Sequence, residues 1–213
     1  MLLHLLLCSQ VWAEKIPCTR LRHLKKLQTK INIVDYKPQI IYQKTSRTEL
    51  IKKTGNKNVL GLTVAPLIHN LELKTTIIEQ GNSLCVFVQE VNFHFGYNRQ
   101  YVYIDGRYPE GSCEYNTILE HEDLHVNFNN QALKRYRKPF TNTIRQNFRN
   151  IEPIRIKNDK YASRNIALWR EKLQEIPYLD HLQKEMEEFQ DLKHGHIDSD
   201  HNYKRTNRKC KNW

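Results

Sequence analysis

Apolar side chains recur at every second position through the first half of this chain and every three or four positions through the second half. That change of period separates a β-rich part from a helical part. Ile31 to Tyr42 alternate apolar and polar residues, and Val59–Val64 and Leu71–Ile78 continue in the same manner. Gln80-Gly81-Asn82-Ser83 then reads as a turn, before Leu84–Val88, Val91–Phe95 and Gln100–Ile104. These runs are rich in β-branched and aromatic residues and bounded by turn formers, so they predict an antiparallel sheet over about residues 31–105. The segment leading to Asp105 is the expected exposed edge of that sheet.

Tyr108-Pro109-Glu110-Gly111-Ser112 predicts a loop, with Ser112 placed to cap a helix. From Cys113 onward, Tyr115, Ile118, Leu119, Glu122, Val126 and Leu133 keep helical spacing. The helix is expected to run to about Arg137 and to stop at Pro139. A second helix is expected over Thr141–Asn150. A long polar one follows over Tyr161–Lys193, with Leu168, Leu173, Leu179, Leu182, Met186 and Phe189 as its apolar seam and Pro177 kinking or dividing it. His194 to Trp213 reads as a short, basic, histidine-rich tail. The fold class is therefore α+β, a sheet followed by helices over about 113–193, in one domain spanning 14–213.

With 213 residues, 39% of them apolar, and only 7 glycines and 7 prolines, the chain is long enough for a core and is neither collagen-like nor of low complexity. No stretch is long and apolar enough for a transmembrane helix in the mature chain. Met1–Ala13 read as a secretory signal: Leu2-Leu3-His4-Leu5-Leu6-Leu7 is a compact apolar run, and Val11-Trp12-Ala13 puts small residues where a signal peptidase cuts. The run is short and lacks a leading Lys or Arg, which points to a start a few residues upstream. A lipid anchor on Cys8 is the weaker option, because Leu7 before it is not small.

Removal of the signal leaves Cys18, Cys85, Cys113 and Cys210, an even set that predicts two disulfides in an exported, periplasmic or secreted protein. Three connectivities are open. The expected one joins Cys85 to Cys113 and Cys18 to Cys210.

A formal net charge of +11, from 34 Lys and Arg against 23 Asp and Glu, suggests an anionic partner. The cations are scattered, and no helix-turn-helix, zinc-finger or RNA-recognition signature accompanies them, so nucleic acid is not the expected partner. Anionic lipid headgroups or cell-wall polymers of the envelope fit the same field.

The chemistry is concentrated in His121-Glu122-Asp123-Leu124-His125. On a helix, residues four apart share a face, so both imidazoles can reach one Zn2+. Glu122 is then set to act as a general base on a metal-bound water whose pKa has been lowered toward neutrality. A catalytic zinc needs a third protein ligand. Val126-Asn127-Phe128-Asn129-Asn130 carries neither the glycine nor the third histidine of the extended metzincin pattern. The rival third ligands lie in the tail, His194, His196 and Asp198, with Glu171 and Glu175 of the long helix as the alternative. Tyr203 is a candidate oxyanion donor, and His94, between Phe93 and Phe95, reads as a packed strand residue.

The segment from about Gly61 to Val126, with Tyr108-Pro109-Glu110-Gly111-Ser112-Cys113 leading into Glu120-His121-Glu122-Asp123-Leu124-His125, is similar to a group of exported proteobacterial proteins. They are described as zincin-like HExxH zinc metalloproteases, and their activity is inferred from the motif. The last twenty residues or so, with Ile197-Asp198, Asn202-Tyr203 and Cys210, resemble theirs as well. The resemblance implies a zincin-like fold with sheet before helix, zinc on His121 and His125, and Glu122 as base. The expected function is an exported zinc-dependent hydrolase, a metallopeptidase acting on peptide or protein substrates. The alternative is a non-catalytic basic envelope protein that binds anionic surfaces.

Overall fold

The computed structural model describes residues 16–211 and 213, without the side chains of Asp200, Tyr203 and Asn207. The expected signal segment 1–13, Cys8 included, lies outside the described residues, as does the side chain proposed for the oxyanion, that of Tyr203. The chain is a mixture of α and β. In order it forms α1 (Cys18–Leu24), β1 (Lys30–Asp35), β2 (Gln39–Thr45), α2 (Arg47–Thr54), β3 (Gly61–Val64), β4 (Leu67–Gln80), β5 (Ser83–Tyr97) and β6 (Arg99–Asp105). Then come α3 (Cys113–Arg149), β7 (Ile154–Lys157), α4 (Ala162–Gln174), α5 (Pro177–Ile197) and α6 (Asp200–Asn207).

The strands form two sheets rather than one, and they are mixed rather than antiparallel. The first has the order β1-β5-β4, with β7 on the start of β5; the second has the order β2-β6-β3. Both β1–β5 and β2–β6 are parallel pairs. The reason lies in three corners. β1 runs into β2 through Tyr36-Lys37-Pro38, β5 into β6 through Asn98, and β3 into β4 through Ala65-Pro66. At each corner the chain leaves one sheet for the other, so three bent ribbons lie side by side, joined at the bend by a bond from Gln39 N–H to Asn98 O of 3.0 Å. Two of the corners hold a proline, which has no N–H to give a ladder. At the third, Gly96 has φ of 134° and lies against Tyr36, a geometry that suits a residue without Cβ.

α3 crosses both sheets. Ser112 caps it, its Oγ accepting from Tyr115 N–H. Ile118 and Val126 from its first half pack on Val102 and Ile104 of β6. Ala132, Tyr136, Phe140, Ile144 and Phe148 from its second half pack on Val91, Phe93, Phe95 and Tyr97 of β5, with Leu182 and Met186 of α5 closing the layer. The expected stop at Pro139 does not occur: Pro139 lies inside a single helix that also takes in the expected second one, Thr141–Asn150. An internal proline costs about 3 kcal/mol. Burying Phe140, Ile144 and Phe148 contributes about 1.5–3 kcal/mol each, which outweighs it. Pro177, by contrast, does divide the long helix, standing at the first turn of α5, where a missing N–H is harmless. The tail is helical in large part. His194 to Ile197 are the last turn of α5, and α6 follows.

The disulfides are Cys18–Cys85 and Cys113–Cys210, not the expected pairing. Cys85 is buried with Cys18, Leu21 and Phe87 under α1, whereas Cys113 opens α3 on the far side of the β5–β6 corner. They close spans of 67 and 97 residues and are worth about 2–4 kcal/mol each. Two disulfides are compatible with an exported protein. Among the described residues no helix is long and apolar enough to cross a membrane.

Candidate metal centre

Helical geometry puts His121 and His125 on one face of α3, their rings 5.0 Å apart and nearly perpendicular. Glu122 lies beside them, packed beneath β3, and is 3% exposed. Its room comes from Gly61, where a Cβ would fall 2.5 Å from Glu122 Oε1 and 2.7 Å from Ile118 Cγ2. Thr63 Oγ1 lies 2.8 Å from Glu122 Oε2 and 3.2 Å from the Glu122 carbonyl, so its one proton goes to the nearer carboxylate oxygen. The ligand atoms of His121, Glu122 and His125 all lie within 4.8 Å of one another.

Of the three rival third donors, the structure brings one into the triangle. Asp198, just after α5, has Oδ1 3.0 Å from His121 Nε2 and 3.2 Å from His125 Nε2. The two nitrogens are 3.3 Å apart. A tetrahedral zinc with bonds of about 2.0–2.1 Å sets its ligand atoms about 3.3–3.5 Å apart. The triangle thus has nearly the size of one face of that tetrahedron, and two imidazoles with a carboxylate are a donor set such an ion accepts. His194 stands behind His125, with the two Nδ1 atoms 2.5 Å apart. His196 is exposed, and its carbonyl accepts from Ser199 and Asn202. Glu171 and Glu175 are exposed on and just beyond α4 and do not line the cavity, and neither does His94, which pairs with Tyr36.

A cavity of about 450 Å³ opens over this cluster, walled by Gly61, Leu62, Thr63 and Ala65 on one side and His121, His125, His194 and Asp198 on the other. Burial pushes the Glu122 carboxyl above its usual range, against the pull of His125, the Thr63 hydrogen bond and His121. Burial opposes charge on His121, but Asp198 and Glu122 outweigh it and raise the imidazole. The hydrogen bonds of Asp198 to the two histidines override its own burial and hold it well below the carboxylate range. His194 is lowered, by burial first and by His125 second.

The expected exposed edge does not lie where the alternation suggested. Gln100–Ile104 belong to β6, the middle strand of the second sheet; the edge strands are β2 and β3, and β3 is the one that walls the cavity. Four site residues escaped the sequence reading. Gly61 and Thr63 carry no local signal. Asn129 continues the 121–125 stripe by one more turn and is buried facing His194. Gln100 is fully buried and accepts from the Asn129 amide at 3.1 Å. α2 was also missed, although Ser46, Glu49 and Gly55 mark both of its ends, Ser46 accepting from Glu49 N–H and Gly55 in the left-handed region.

Gly61→Ala tests the packing of Glu122. The new methyl must displace the carboxylate or β3, at about 1–3 kcal/mol. The expected outcome is a lower melting temperature with any metal still bound. A variant as stable as the parent would mean that β3 does not press on Glu122.

No protein-family model, no curated protein and no solved structure matches this chain.

Proposed function

We propose that this chain is an exported zinc-dependent hydrolase, a zincin-like metallopeptidase acting on extended peptide segments in the periplasm or outside the cell. One observation carries the reading: His121 Nε2, His125 Nε2 and Asp198 Oδ1 converge at 3.0–3.3 Å beside a buried carboxylate at the floor of an open cavity. His121, His125 and Asp198 would hold the ion. When bound, zinc supplies Lewis acidity, which lowers the pKa of a water toward neutrality and polarises a carbonyl.

The remaining chemistry belongs to the chain's own groups. Glu122 receives a proton from the attacking water and returns it to the leaving amine. Its raised pKa suits both halves of that task, and Thr63 holds Oε2 while Oε1 rests against Gly61. The free edge of β3 offers the backbone of a substrate its partners. Asp105 N–H donates to Leu60 O across the β3–β6 ladder at 2.9 Å, so the alternation of an antiparallel pair turns the N–H and C=O of Gly61 and Thr63 outward. An extended peptide can add there as a further strand.

Elemental analysis of the purified, disulfide-intact chain tests the reading. The expected result is about one zinc per chain, and its loss in His121→Ala. A folded chain without metal would favour the basic, non-catalytic envelope protein instead.

A further inference from the structure

Behind the donor triangle runs a series of hydrogen bonds whose direction can be worked out link by link. His125 Nδ1 and His194 Nδ1 are 2.5 Å apart, so one donates and the other accepts. His125 Nε2 faces Asp198 and His121, and a metal there requires its lone pair. The His125 proton then sits on Nδ1 and is donated to His194. The His194 proton in turn sits on Nε2, which is 3.2 Å from Asn129 Oδ1. The next links agree with this direction. Asn129 Oδ1 also accepts from Gln190 Nε2 at 2.7 Å, while its Nδ2 donates to Gln100 Oε1 at 3.1 Å. Gln100 Nε2 goes on to donate to Asn130 Oδ1 at 3.0 Å. These amide orientations and the two histidine tautomers agree with one another at every link, and Asn129 and Gln100 are buried, so water is not an alternative partner for them.

We infer that His194 is a positioning residue and not a ligand: from α5 it holds the His125 ring in the tautomer whose Nε2 lone pair faces Asp198 and His121, and Asn129 sets the tautomer of His194 in the same way. The inference rests on the reading of His121, His125 and Asp198 as metal donors. It assigns to α3 and α5 together the support that ligating histidines draw from the partner of their other ring nitrogen. Both nitrogens of His194 are already engaged, one by His125 and one by Asn129, which leaves neither for an ion.

Three measurements test it. Long-range ¹⁵N–¹H correlation spectra of the zinc-loaded protein at mildly alkaline pH should place the proton on Nδ1 of His125 and on Nε2 of His194. Asn129→Leu should break the fixed His194 tautomer without unfolding the chain. Zinc affinity should fall about 10–100-fold in His194→Ala and recover in part in His194→Gln, whose amide again offers an acceptor and a donor. The cobalt(II)-loaded His194→Ala variant should keep the parent's visible band shape, since no donor has been lost. A proton on Nε2 of His125, or a cobalt spectrum altered by His194→Ala, would overturn the assignment. A parent chain that takes up neither zinc nor cobalt would instead sink the metal reading, and the purpose given to His194 with it, whatever the tautomers.

Discussion

Glu122→Gln should lower peptide hydrolysis by about 10²–10⁴-fold, the usual worth of a positioned general base, while zinc content and fold stay as they are. Glutamine has the same shape, and its carbonyl can still accept from Thr63, so the packing under Gly61 is preserved. What it loses is the ability to take a proton. Stability provides a second readout with a worked sign. A carboxyl whose pKa is raised by folding costs stability once the pH exceeds its unfolded value, because folding then has to bury a charge or take up a proton. At neutral pH the metal-free Gln variant should therefore melt at the parent's temperature or above it. The two results together separate a catalytic from a structural carboxylate. Undiminished turnover of a fluorogenic peptide library would remove Glu122 from the mechanism, and a large drop in melting temperature would make it a packing residue.

How much of this could be seen in the sequence depended on how local each feature is. The 121–125 face of α3, the Ser112 cap and the break at Pro177 are set by residues within a turn or two of one another, and all three were legible. Asp198 bonds His121 across 77 residues. Nothing near Asp198 says which of three polar side chains at the end of α5 turns back toward α3, so it stood as one rival among His194, His196 and itself. Joining Cys85 to Cys113 would tie the strands to the start of α3, yet Cys85 pairs with Cys18 under α1 and Cys113 with Cys210. The same corners produce the parallel pairs, since each strand's partner is chosen by the ribbon beside it rather than by the next strand in the chain. Pro139 misled for a different reason: a local penalty was overruled by three buried side chains farther along the helix.

Asp198→Ala is the counterpart among the donors, and its effect on metal should exceed the 10–100-fold that losing an outer partner costs. The aspartate is held from both sides. α5 is fixed to the core by Leu182 and Met186, and beyond α6 the chain is tied to the start of α3 by Cys113–Cys210. Further contacts are the bond from Lys209 Nζ to Glu120 at 2.8 Å and the edge contact of Trp213 with Tyr108. Alanine at 198 leaves that frame intact, so any loss is chemical rather than structural. Two imidazoles alone do not make a catalytic zinc site. His196→Ala serves as the control and should bind zinc like the parent, because that residue is exposed and does not line the cavity. The order of weakening should therefore run Asp198→Ala, then His194→Ala, then His196→Ala with none, measured by competition with a chromogenic chelator. If Asp198→Ala holds zinc as firmly as the parent while His194→Ala releases it, the third donor is His194 and the direction of the whole hydrogen-bonded series must be reversed.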